Sequence, residues 1–207
     1  MNVSALFYRI IIDPLLTSLR REISRQIPRN SRVIDIGCGT GSLLVSLAGG
    51  CGCLVGVDCD EEMVSFAGKR INRLNTRLNS RHLHVFQEDA ADLSRFNDRE
   101  FDAAVLSMAV HQFDGRLVDS ILTEAKRIAE EIIIADYTIP KPDTFYGRIS
   151  YGVEKMAGKE HFRSYLHYSA EGGIPALVDR YSFSVVSSRS TAGGVFSVYR
   201  LKSGTIG

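Results

Sequence analysis

Apolar residues change their spacing twice along this chain, and those changes divide it into elements. Between residues 3 and 27, Leu6, Ile10, Leu15, Leu16, Leu19 and Ile23 recur at mostly helical intervals. Asp13-Pro14 interrupts them. Proline's fixed φ suits the first turn of a new helix, so two helices or one kinked helix are expected. Pro28-Arg-Asn-Ser31 closes that segment. Short β-rich runs follow at 32–36, 53–57, 82–86, 101–107 and 131–137, with helical stretches at 42–48, 61–74 and 116–129. Such strand–helix alternation predicts a mostly parallel, doubly wound sheet with helices on both faces. Runs such as Val33-Ile-Asp-Ile and Ile132-Ile-Ile-Ala are nearly continuous in apolar residues, as strands covered on both sides must be.

After Tyr137 the rhythm breaks. Ile139-Pro-Lys-Pro-Asp143 reads as a turn, and 144–180 as helical pieces split at Gly158 and Gly172-Gly173. Two last strands, 181–188 and 195–201, are joined through Thr191-Ala-Gly-Gly194, which predicts an antiparallel hairpin at a sheet edge. The helical stretch is long for a connection, and long connections over a ligand crevice are often lids. The expectation is one α/β domain, 1–207, with a Rossmann-like seven-stranded sheet. Its parts are an N-terminal helical cap (1–30), a core (31–137), a helical lid insertion (138–180) and a C-terminal hairpin (181–207).

Composition adds mainly exclusions. With 207 residues, 44% hydrophobic, 24% charged and a formal net charge of +1, the chain has no overall field directed at nucleic acid or an acidic surface. Arg9, Asp13, Arg20, Arg21 and Glu22 break up the first apolar stretch, so neither a signal peptide nor a transmembrane segment is expected. A cytoplasmic protein is the expectation. Cys38, Cys51, Cys53 and Cys59 lack metal-ligand spacing and read as small apolar thiols; no metal site is expected.

The chemistry concentrates in Val33-Ile-Asp-Ile-Gly37-Cys-Gly39-Thr-Gly41, a strand running through a glycine-rich turn into a helix. Glycines there allow positive φ and close approach of a ligand to bare backbone, while the helix start presents free N–H groups. A dinucleotide fingerprint would place its third glycine at position 42, where this chain has Ser42. Asp35, two residues before Gly37, would repel a pyrophosphate but suits a cationic amino group. Asp58 ends the next strand, 21 positions past Gly37, where a carboxylate can accept from both ribose hydroxyls. The pattern favours a sulfonium amino-acid nucleoside over a nicotinamide cofactor. The purely structural alternatives are a turn cap at Asp35 and an N-cap at Asp58.

Asp35-Ile-Gly-Cys-Gly-Thr-Gly41 followed by Gly56-Val-Asp-x-Asp-x-x-Met63 resembles the class I S-adenosylmethionine-dependent methyltransferases, in particular their small-molecule branch with the quinone-biosynthesis enzymes. The resemblance covers residues 32 to 137. It implies S-adenosyl-L-methionine as cofactor and S-adenosyl-L-homocysteine as product. It implies that Gly37, Cys38, Gly39 and Gly41 form the cofactor turn, with Asp35 at the methionine end and Asp58 on the ribose. By the same resemblance Cys59 and Met63 pack on the adenine, and Asp89 and Ala90 bond its edge. Ser107, at the end of 101–107, falls beside the transferable methyl group, while Asp102 is structural.

Methyl transfer from a sulfonium needs alignment and water exclusion first, and a base only where the acceptor must lose a proton. His111, four residues past Ser107, is the candidate base; the alternative is a helix cap or packing on Phe113. If 159–169 is helical, His161, Tyr165 and Tyr168 share one face and could line an acceptor pocket, or simply pack between helices. Tyr8, on the first helix, is a further candidate for substrate contact. A small-molecule methyl acceptor is the leading expectation. RNA or protein methylation competes, although Leu106-Ser-Met-Ala109 stands where an Asn/Asp-Pro-Pro-Tyr motif would serve exocyclic amines. A nicotinamide oxidoreductase and a non-catalytic, cofactor-retaining partner protein complete the alternatives.

Overall fold

The computed structural model describes residues 13–79, 82–156 and 158–203; Tyr8 lies outside them. Helix α1 (Asp13–Gln26) holds Pro14 in its first turn and buries Leu15, Leu19 and Ile23 along one stripe. It packs on α2 and on the sheet beside β5 and β7. The alternating region gives β1 (Arg32–Ile36), α2 (Ser42–Leu47), β2 (Cys53–Asp58), α3 (Glu61–Leu78), β3 (Leu83–Gln87) and β4 (Phe101–Ser107). A 3₁₀ turn (Val110–Gln112), α4 (Gly115–Ile128) and β5 (Ala129–Tyr137) follow.

Helix α3 begins where the Asp60 carboxylate accepts from the N–H groups of Glu62 and Met63, and it ends on Asn79 in the left-handed region. Asp114 caps α4 in the same way. Between α4 and β5 there is no loop: Ala129 is already extended, so the strand begins two residues earlier than the apolar run suggests. Arg127, in the last turn of α4, bonds the carbonyls of Leu93 and Phe96 and ties the 88–100 loop to the helix.

The insertion is α5 (Phe145–Met156), α6 (Lys159–Glu171) and α7 (Gly173–Arg180), divided at Gly158 and Gly172 as the sequence indicates. Strands β6 (Phe183–Thr191) and β7 (Phe196–Ser203) pair antiparallel. Among the described residues the strands form one seven-stranded sheet in the order β3-β2-β1-β4-β5-β7-β6, parallel except at β7. Strand order reverses between β1 and β4, so the crevice at the carboxyl ends of these two strands is where such a sheet takes a ligand. Its floor is dry: Ile34, Ile36, Val57, Val105, Ile133 and Ile134 are fully buried between the helical layers. Among the described residues no helix is long and apolar enough to cross a membrane.

Candidate active site

Strand β1 delivers the chain into the crevice and the glycine turn reverses it. Gly37, Gly39 and Gly41 have φ of 75°, 50° and 70°, values that cost an L-residue side-chain strain. The N–H groups of Gly37 and Cys38 both donate to Val57 O at 2.9 Å, which seats the turn on the end of β2. Gly56, opposite Asp35 in the register, leaves room for the turn: a Cβ there would lie 2.6 Å from Leu44 and 2.9 Å from Cys38 Sγ. Ser42, in place of a third fingerprint glycine, is held by Arg70 together with the Thr40 carbonyl.

Asp58 is tied to this turn. One carboxylate oxygen accepts from Gly39 N at 2.8 Å and the other from Asp60 N at 3.0 Å. The N-cap of α3 is Asp60, so the capping alternative for Asp58 does not hold. Asp35 is buried, and among the described residues nothing is hydrogen-bonded to its carboxylate. Burial, with the Asp58 charge adding to it, pushes its pKa up to about 7.

Two cavities meet at Gly37 and Met108. The smaller, about 130 Å³, is walled by Asp35, Cys38, Ser107 and, from α1, Leu16, Leu19 and Arg20. The larger, about 340 Å³, is walled by Gly39, Asp58, Cys59, Met63, Asp89 and Ala90 on one side and Gln112, Phe113, Leu117 and Ile121 on the other. Met108 itself has φ of 56°, an uncommon conformation for a residue with a Cβ. Asp89 closes a tight turn by accepting from Ala91 N. Of the sequence-derived cofactor residues, Gly41 alone lines neither cavity; its part is to start α2. Asp102 takes the N–H of Arg32 and stays structural, as expected.

A third cavity, about 720 Å³, opens beside the second and shares Gln112, Phe113 and Leu117 with it. Its outer wall is α6: Glu160, His161, Arg163, Ser164 and His167. His161 is thus at a cavity wall, but Tyr165 and Tyr168 are not. Both are packed inside, Tyr168 donating to the Tyr137 carbonyl at 2.9 Å. His111 is likewise buried, 1% exposed, and lines none of these three cavities. Its Nδ1 lies 2.7 Å from Asp136 Oδ1. Burial pulls this imidazole toward neutrality while Asp136 and Glu154 draw its pKa up, and the carboxylates prevail. Asp136 and Glu154 had no place in the sequence reading. Asp136 stands at the end of an apolar strand just as Asp35 does, a signal that was legible; Glu154 carries no local signal.

Residues 33–131 match the methyltransferase domain family. A Bacillus subtilis protein named as a methyltransferase is 32% identical over 84 residues, 41% of this chain and 31% of its own length. The chain spans less than half the length of the curated relatives it matches. Among solved structures, a SAM-dependent methyltransferase of Thermotoga maritima superposes with a TM-score of 0.67 at 20% identity, covering 97% of this chain and 95% of that one. A magnesium protoporphyrin IX methyltransferase of Synechocystis, solved with S-adenosylhomocysteine, gives 0.64 at 15% identity, covering 99% and 89%. These structural likenesses concern the fold.

Proposed function

We propose that this protein, whose residues 33–131 match the methyltransferase domain family, is a class I methyltransferase that binds S-adenosylmethionine and methylates a small organic acceptor. The observation that carries the reading is the pair of cavities meeting at Gly37 and Met108. The buried Asp35 carboxylate, without a hydrogen-bond partner among the described residues, suits the cationic amino group of a methionine moiety in the smaller one. Asp58 stands ready for the ribose hydroxyls in the larger, where Cys59, Met63, Asp89 and Ala90 suit an adenine.

When bound, the cofactor supplies a methyl group already activated on sulfur. The protein's own part is alignment. Gly37 and Met108 stand where the two cavities join, with Ser107 beside them in the smaller one, and Phe113 and Leu117 keep water from the space between donor and acceptor. The third cavity, at about 720 Å³, is of the size that takes a small molecule. His161 faces it, with Gln112 and Ser164 as further polar contacts. His111 acts from behind this wall rather than on the acceptor. The free thiols of Cys51 and Cys53 suit a cytoplasmic setting.

Calorimetric titration should show S-adenosylhomocysteine binding and no NADH binding; the reverse would overturn the donor assignment. With radiolabelled donor and a cell extract, label should enter the small-molecule fraction. Label in RNA or protein would overturn the acceptor class.

The Asp35 carboxyl makes the donor site pH-sensitive. It must ionise to receive an ammonium group, so below about pH 7 affinity should fall by up to about tenfold per pH unit, with proton release on binding. An Asp35→Asn variant should bind weakly at every pH, without that slope. For folding the sign is opposite. The unfolded carboxyl ionises near 3.8 and the folded one near 7, so its contribution is fully present below pH 3.8 and lost as pH rises to 7. Melting curves of the ligand-free protein at pH 5 and pH 8 measure that loss.

A further inference from the structure

Behind the third cavity, four elements bring two histidines and two carboxylates into one cluster, buried except at His161. Asp136 comes from β5, His111 from the 3₁₀ turn, Glu154 from α5 and His161 from α6. Among the described residues, the ion-pair partners of Asp136 and Glu154 are these two histidines alone. Two buried carboxylates therefore face either two imidazolium rings or neutral rings around one divalent cation.

The geometry accommodates the second arrangement. Asp136 already accepts the N–H groups of Tyr137 at 2.8 Å and His111 at 3.2 Å, and beside His111 Nδ1 it fixes the proton on that nitrogen. His111 Nε2 faces Glu154 Oε2 at 3.6 Å, beyond hydrogen-bond length, and in the neutral ring it carries the lone pair. Two ligand atoms about 2.1 Å from one ion, at the tetrahedral angle, lie about 3.4 Å apart. His161 Nε2 reaches the same Glu154 oxygen at 2.5 Å, and the three ligand atoms lie within 4.8 Å of one another. The other Glu154 oxygen takes the Tyr137 hydroxyl at 2.6 Å.

We propose that His111 Nε2, His161 Nε2 and Glu154 Oε2 bind a divalent transition-metal ion of the zinc class. Asp136 is the outer partner that orients a metal-bound imidazole, and Tyr137 does the same for the carboxylate. Charge balances, two carboxylates against one divalent ion with both rings neutral. His161 moves off its hydrogen bond to Glu154 to make room, which its 25% exposure on α6 permits. Because His161 lines the third cavity, the fourth coordination position opens there, to water or to an anionic oxygen of a ligand.

Cobalt(II) reports on such a site without any methyl donor, so its failure would leave the donor assignment standing. Chelator-treated protein titrated with Co²⁺ should take up one equivalent, show the intense visible bands of a four-coordinate ion without a thiolate charge-transfer band, and lose both to Zn²⁺. His161→Ala, on a partly exposed helix face, should fold and weaken Co²⁺ binding by at least about 100-fold. His167→Ala, in the same cavity wall but outside the cluster, should bind as the wild type does. No uptake by the folded wild type would overturn the site and leave a cluster held by protons alone. So would unchanged affinity in His161→Ala, or a thiolate band placing the ion on the cysteines.

Discussion

Replacing Asp58 by alanine should raise the dissociation constant for S-adenosylhomocysteine by at least about 100-fold. Two hydroxyl groups bonded to a carboxylate contribute about 1.5–3 kcal/mol each, and 1.4 kcal/mol corresponds to about one decade of affinity. The same change removes the acceptor for Gly39 N at 2.8 Å and Asp60 N at 3.0 Å, so the turn proposed to touch the ligand also loses its tether. Asp58→Asn retains an acceptor and should fall between the two proteins. The fold should lose little, because Asp60 rather than Asp58 caps α3 and the turn still hangs from Val57 O. Titration calorimetry alongside thermal melting separates these effects. An affinity within about threefold of the wild type would show that the ribose does not bind there.

The largest stability effect is expected at the other end of the sheet. Phe101 opens β4, is 2% exposed, and stands edge-on to Phe96 with ring centroids 5.3 Å apart. Phe96 in turn meets Phe86, and the Arg32 guanidinium lies 6.0 Å over the Phe101 ring. Phe101→Ala empties the middle of that row, where backbone pairing of Phe101 with Ala129 limits collapse. The cost should be about 3–5 kcal/mol, which lowers the melting temperature of a chain this size by roughly 6–20 °C. Phe101 is at the amino end of its strand and the ligand crevice at the carboxyl end, so S-adenosylhomocysteine affinity should be unchanged below the melting range. A drop of less than about 1 kcal/mol in a denaturant titration would mean that the 88–100 loop closes the space.

These two residues differ in how visible they were before the structure. Asp58 announced itself through local chemistry, a carboxylate ending a buried strand at a fixed distance from a glycine turn. Phe101 read as strand, yet nothing in the sequence placed Phe96 or Arg32 against it. Strand alternation, helical spacing and turn residues act over a few positions, so β1 through β5 and the breaks at Gly158 and Gly172 could be read directly. Boundaries drifted where a cap or a strand pairing lengthened an element. Helix α3 runs on to Leu78 because Asn79 closes it in the left-handed region. Strand β5 starts at Ala129 because that residue already pairs with Phe101 of β4.

The acceptor side shows the limit most sharply. Helical spacing put His161, Tyr165 and Tyr168 on one face, and the face exists, but it is split: His161 meets a cavity while the tyrosines are closed in by Tyr137 and His111. The sequence by itself determined the doubly wound order of elements and the residues of the proposed donor half of the site. Asp35, the glycine turn and Asp58 are set by the ends of adjacent parallel strands, whose positions a local pattern specifies. Only the tertiary structure decided what surrounds His111. Its partners Asp136, Glu154 and His161 come from three further elements, and the distances among them follow from how α5 and α6 pack on each other and α6 on the 3₁₀ turn, a matter of side-chain fit that no spacing along one segment encodes.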